Sequence, residues 1–131
     1  MWLAVAVGGA LGALARWLVG EGVLAVAPST TGFPWSTLLV NVVGCALIGL
    51  LAPLVVGARP WVAGFLVTGF LGGFTTYSAF AEETFLLLDR GDLMGIGLAA
   101  GYVVATIAAT SLAVALGLRL SPRRPNLEAP S

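Results

Sequence analysis

From residue 34 to residue 56 no side chain carries a charge, and from residue 93 to residue 118 none does either. Each run is long enough to cross the hydrocarbon core of a bilayer, which takes about 20 residues in a helix. Composition agrees. Of the 131 residues, 59% are hydrophobic and 9% are charged, and the mean hydropathy is +1.02. Soluble domains carry roughly 25% charge, and so short a chain cannot hide this much apolar surface inside itself. Disorder needs the opposite balance.

Two further apolar stretches complete the set. Residues 2–24 carry Arg16 and Glu21, and residues 60–88 carry Glu82 and Glu83 late in the run. Membrane barrel strands alternate apolar and polar over about ten residues. These runs are longer and uniformly apolar, so the predicted class is an all-α membrane protein with four transmembrane helices. They occupy a single unit, residues 1–120, followed by a polar, proline-rich tail, residues 121–131, that is expected to fray. The linkers are residues 25–33, 57–59 and 89–92. Pro34 suits a first helical turn, and Pro53 should kink or end its helix. The N-terminus has neither a positive n-region nor a clear cleavage site, so residue 2 onward reads as a retained helix.

Several functions are excluded. Six basic against six acidic residues give zero net charge, hence no field for nucleic acid. The single cysteine, Cys45, allows no internal disulfide. The absence of histidine argues against zinc. No nucleophile–base pair stands out, so an enzyme is not expected.

Glycine accounts for 18 residues, and its placement is ordered. Gly8, Gly12, Arg16 and Gly20 share one face of the first helix, and Gly97, Gly101, Ala105, Ala109, Ala113 and Gly117 share one face of the last. Small residues at this spacing let membrane helices approach closely, within one subunit or between two. Arg16 sits about two-thirds along its span. It either snorkels to the interface or faces protein or a water-filled vestibule. Thr37, Asn41, Cys45 and Gly49 form a stripe on the second helix. Asn41 either holds helices together or offers its amide to an anion. In the third span, Gly72-Gly73 followed by Thr75-Thr76 is a poor continuous helix. A break near the midplane is predicted, where freed carbonyls must bond protein, water or an ion. An unbroken helix with glycine packing is the alternative. Tyr77 and Phe80 follow on one face and either fill a core or line an anion path with their positive ring edges. Tyr102, Thr106 and Thr110 make a hydroxyl ladder on the last helix. Such hydroxyls bond their own preceding turn or form a polar track.

Three motifs together are distinctive: Gly8-Gly9-x-x-Gly12-Ala13-x-x-Arg16, Phe33-Pro34-x-x-Thr37-x-x-x-Asn41-x-x-Gly44, and Gly69-x-x-Gly72-Gly73-x-Thr75-Thr76-Tyr77-Ser78-x-Phe80. In this order and at this chain length they resemble the Fluc/CrcB fluoride channel family. The resemblance implies an antiparallel dimer in the cell inner membrane, two fluoride pathways along it, and a structural sodium ion at its centre. It further implies that Asn41 and Thr37 line the pathway with Phe80, and that Tyr77 stands where the family usually has Phe. It assigns the sodium to the carbonyls of Gly72 and Thr75. Glu83 matches a family glutamate, Tyr102, Thr106 and Thr110 resemble the polar track of the last helix, and Arg16 resembles an arginine near the pore mouth. Tyr77 departs from the pattern, and Val114 stands where the track often continues with a hydroxyl.

The positive-inside rule gives an orientation. With four spans, one side holds Arg59, Arg119, Arg123 and Arg124, and the other holds Arg90 beside Glu21, Asp89 and Asp92. Both termini are therefore expected in the cytoplasm. So marked a bias favours a heterodimer with an oppositely oriented paralogue over a dual-topology homodimer. The expected partners are fluoride, membrane lipid and a second subunit of one of these two kinds. Two other functions are weighed against a fluoride channel. A small proton-coupled multidrug transporter needs a carboxylate in the first helix, where this chain has Arg16 and a marginal Glu21. A non-conducting subunit remains open through Tyr77.

Overall fold

The computed structural model describes residues 1–29 and 32–122. Among these residues the secondary structure is entirely helical. Helix α1 spans Trp2–Val26 and α2 spans Trp35–Val55. The third span is composite: α3, Pro60–Ala63; a π-helical segment, Gly64–Leu71; α4, Gly72–Phe74; and α5, Ser78–Asp89. Helix α6, Leu93–Leu120, closes the fold. Four helical stretches are long and apolar enough to cross a membrane, as the apolar runs predict. Large side chains such as Trp2, Leu18, Val104 and Leu112 lie exposed on the outside. That is the surface expected where lipid is the solvent.

The helix ends follow local chemistry. Pro34 is the N-cap of α2 rather than part of its first turn. Pro53 lies in the last turn of α2, which ends two residues later. Asp92 caps α6, its Oδ1 accepting the Gly95 N–H at 2.6 Å, which satisfies one of the orphan donors of a helix start. At the far end Ser121 Oγ donates to the Leu50 carbonyl at 2.9 Å, tying α6 to α2. The start of the expected tail is therefore anchored, and residues 123–131 lie outside the described residues.

Two tight helix pairs build the protein. Helix α1 packs on the first half of the third span, and α2 packs on α6. Glycine makes both approaches feasible. A Cβ on Gly8 or Gly12 would strike the Phe65 and Phe70 carbonyls. One on Gly49 would strike the Val114 carbonyl, and one on Gly117 the Ala46 carbonyl. The glycine stripes thus divide. Gly8, Gly12 and Gly117 serve packing within the chain, whereas Gly20, Gly97 and Gly101 have nothing within 4 Å of a Cβ. Helix α5 leans on α6 and brings the pairs together around Leu87, Ala99 and the fully buried Tyr102, with Phe33, Leu38, Phe80 and Leu98 packed around them.

The third span breaks at Thr75, whose backbone is extended (φ −75°, ψ 158°). Gly72 and Gly73 remain helical. The break is present as expected, but it falls after the glycines. Gly73 is spent on close packing, since a Cβ there would meet the backbone of Gly9.

Candidate functional site

Asn41 lies on α2 with its side chain buried against the break. Its Oδ1 accepts the Thr76 N–H at 2.8 Å, and its Nδ2 donates to the Thr76 carbonyl at 2.9 Å. The amide thus takes both backbone groups of one residue, the N–H and the C=O of Thr76, and a primary amide keeps a second N–H beyond the one used. In a continuous helix the Thr76 N–H would bond the Gly72 carbonyl. Likewise the Ala79 N–H, which would reach the Thr75 carbonyl, is taken by Thr76 Oγ1 at 3.2 Å. Two side chains therefore release the Gly72 and Thr75 carbonyls from the helical ladder. In the single chain Gly72 is exposed and Thr75 is half-buried. The Thr75 hydroxyl bonds back to the Leu71 carbonyl at 3.0 Å.

A second group sits closer to the α1–α2 connection. Glu83 on α5 holds two hydroxyls at once. Thr37 Oγ1 donates to its Oε1 at 2.6 Å, and the Tyr102 hydroxyl donates to its Oε2 at 2.7 Å. Three helices, α2, α5 and α6, meet in this one carboxylate. Thr106 follows Tyr102 by about one turn of α6. It is 8% exposed, and its hydroxyl is buried with no partner among the described residues. Buried hydroxyls are rarely left so. Thr110 instead donates to the Thr106 carbonyl at 2.6 Å, the back-bonding that mid-helix threonines often make.

Aromatic rings join the two groups. The Tyr77 ring lies 5.9 Å from that of Phe80, and Phe80 lies 5.2 Å from Tyr102. Phe33 meets Tyr102 edge-on at 5.5 Å. Tyr77 is 79% exposed, so its hydroxyl points away from the packed interior of this chain.

Two cavities flank the carboxylate. One, of about 300 Å³, is lined by Arg16, Gly20, Ser36, Thr37, Thr76 and Ala79 among others. The other, of about 620 Å³, is lined by Phe33, Ser36, Glu83 and Arg90 within a mostly apolar wall. Ser36 lines both, and the Thr37–Glu83 bond joins the lining of one to that of the other. Arg16 makes no ion pair among the described residues. Nor do those residues contain a cluster of three or more metal-ligating side chains.

The structure thus brings Thr37, Asn41, Phe80, Glu83, Tyr102 and Thr106 into one neighbourhood and sets Arg16 at its edge. It places Gly72 and Tyr77 at the chain's outer face and leaves Thr75 half-buried, with its side chain against Gly44. Thr76 is the member of this neighbourhood that sequence reading did not single out as a site residue. Its N–H and C=O are the groups Asn41 takes, and its hydroxyl starts α5. The signal available was a threonine three residues before Ala79, a spacing at which threonine commonly caps a helix.

The family described as CrcB-like protein, Camphor Resistance (CrcB), matches residues 3–118. A Rhizobium meliloti (strain 1021) protein named fluoride-specific ion channel FluC is 48% identical over 121 residues, covering 90% of this chain and 93% of the relative. A Paracoccus denitrificans (strain Pd 1222) protein of the same name is 48% identical over 118 residues, covering 89% and 90%. A Bordetella petrii relative, again so named, is 46% identical over 119 residues, covering 87% and 88%.

Proposed function

This chain belongs to the CrcB family, and from that premise we propose that it is a fluoride-selective channel. It mediates passive fluoride efflux across the cell membrane and so lowers fluoride toxicity in the cytoplasm. The observation that carries the reading is the buried set of uncharged donors at membrane depth, with the unpartnered Thr106 hydroxyl at its heart. Fluoride is small and strongly hydrated. A pore must replace its water with donors, yet hold the ion weakly enough to release it. The free N–H of Asn41, the hydroxyls of Thr37, Tyr102, Thr106 and Thr110, and the ring edges of Phe80 and Tyr77 are such graded donors. Larger halides are excluded by width, and Arg16 attracts anions into its cavity.

Glu83 has a defined place in this scheme. Its two oxygens occupy the Thr37 and Tyr102 hydroxyls that an anion would otherwise use. Fluoride competes with a tethered carboxylate for these two donors, which keeps its binding weak.

The working unit is a dimer of antiparallel subunits. Gly72 is exposed and Thr75 half-buried in the single chain, and their carbonyls, withdrawn from the helical ladder, would turn toward a second subunit. A second subunit related by a two-fold axis, or a pseudo-two-fold axis for a paralogue, would double that oxygen set. All-oxygen sets suit hard cations, so these residues fit the expected structural sodium ion. When bound, it supplies positive charge that holds the interface and offsets the approach of an anion. The arginine bias supports cytoplasmic termini for the dominant orientation and pairing with an oppositely oriented paralogue.

A growth test addresses the proposal. Expression in a bacterium lacking its own fluoride exporters should restore growth on millimolar fluoride, alone or with the paralogue. Failure in both arms, with the protein present in the membrane, would overturn it.

A further inference from the structure

The hydroxyls of the third span fall into two groups. Thr75 donates to the Leu71 carbonyl at 3.0 Å and Thr84 to the Phe80 carbonyl at 2.7 Å, while the Thr76 and Ser78 hydroxyls bond each other at 3.3 Å. Thr68 and Tyr77 differ. Neither hydroxyl has a hydrogen-bond partner among the described residues, and both residues are exposed in the single chain. Both also lie well inside the Pro60–Asp89 stretch that crosses the membrane. Lipid tails offer a hydroxyl nothing to bond, so leaving one among them is unfavourable. Thr68 stands four residues before the exposed Gly72, a spacing that puts the two on one helix face. In the proposed dimer that face meets the second subunit.

We infer that the Thr68 hydroxyl of one subunit and the hydroxyl of Tyr77 of the partner subunit bond each other across the dimer, twice by symmetry. An antiparallel two-fold that sets Gly72 against Thr75 of the partner subunit runs the two third spans past each other in opposite directions. Thr68, four residues before Gly72, then reaches the depth of the fourth residue after Thr75, which is Ala79. Ala79 has no hydroxyl, and that of Ser78 is engaged with Thr76. Tyr77 is the next residue along, and its long side chain ends in the unpartnered hydroxyl. A hydroxyl both donates and accepts, so the pair is complementary in either sense. The bond positions a ring of the proposed pathway, because Tyr77 lies 5.9 Å from Phe80 and its tip is held only when the second subunit is present. A second copy of this chain supplies both residues, and it is the partner the test uses. This inference rests on the antiparallel dimer of the proposed channel.

The test is a double-mutant cycle on the rate of subunit exchange between donor- and acceptor-labelled copies of the full chain in detergent, read by energy transfer. Thr68→Val and Tyr77→Phe should each speed exchange by about tenfold, the loss of two membrane hydrogen bonds. The double variant should exchange no faster than either single one, since the same bonds are already gone. Thr68→Ser keeps the hydroxyl and should exchange like wild type. Single variants that exchange like wild type, or effects that multiply in the double variant, would overturn the inference. So would a wild type that develops no energy transfer, because it forms no pair of copies. Fluoride efflux from liposomes made with the same wild-type protein separates the two claims: a pair that shows the coupling yet conducts no fluoride would overturn the channel reading and leave the Thr68–Tyr77 bond standing.

Discussion

Asn41 and Thr76, 35 positions apart, are joined by two hydrogen bonds of 2.8 and 2.9 Å that satisfy both the N–H and the C=O of Thr76. The third span can depart from the helix at membrane depth because of this pairing. In hydrocarbon an unpaired N–H or C=O costs several kcal/mol, roughly. On the proposed reading the amide that stabilises the break is also a donor to the anion, so one side chain would serve both structure and conduction.

Asn41→Asp should therefore do two things. It loses the donor to the Thr76 carbonyl and sets a negative charge in the anion path. Fluoride efflux should be abolished, and stability should fall by about 1–3 kcal/mol for the unpaired carbonyl. Thermal unfolding in detergent and efflux from liposomes read the two effects separately. Retained efflux would remove Asn41 from the list of pore donors.

Thr106→Val separates the same two roles at another site. The Thr106 hydroxyl is buried without a partner, so its removal should leave the unfolding temperature unchanged or raise it. Fluoride efflux should fall by about tenfold, the loss of one donor to an anion. A variant as fast as wild type would show that the hydroxyl takes no part in conduction.

Two glycines of the α6 stripe, Gly101 and Gly117, should respond differently. A side chain on Gly117 meets the Ala46 carbonyl, which cannot yield, so Gly117→Val should prevent recovery of folded protein. Gly101 has open space in the single chain. Gly101→Leu should fold yet weaken subunit association, seen as a shift toward monomer by size-exclusion chromatography in detergent. A wild-type dimer fraction for Gly101→Leu would take that face out of the interface.

Tyr77→Phe should raise the initial rate of fluoride efflux. The ring keeps its place 5.9 Å from Phe80, while the hydroxyl leaves an aromatic position of the proposed pathway. Rates compared at equal reconstitution density decide this. A slower variant would mean that the hydroxyl serves conduction in this chain.

Much of the fold was legible because spans are written in runs of apolar residues, and lipid imposes helices on them. The position of the break was not. Propensity points at Gly72-Gly73, yet both stay helical, and Gly73 is used for close packing on the Gly9 backbone. The break falls where Asn41, distant in sequence, takes the Thr76 N–H. The family motifs singled out individual residues as candidates, but their mutual bonding could not be read from the sequence. Glu83 stands 46 positions from Thr37 and 19 from Tyr102, and no local pattern announces that one carboxylate holds both hydroxyls. The glycine stripes were read as one feature each. The structure divides them, since only the stretches facing a partner helix are pressed against backbone.

The most direct measurement is fluoride efflux from liposomes containing this chain, alone and with an oppositely oriented paralogue, with chloride efflux as the control. The account predicts rapid fluoride efflux and no chloride efflux in at least one of the two preparations. Well-folded protein that releases neither ion in both preparations, or releases chloride as readily as fluoride, would contradict it.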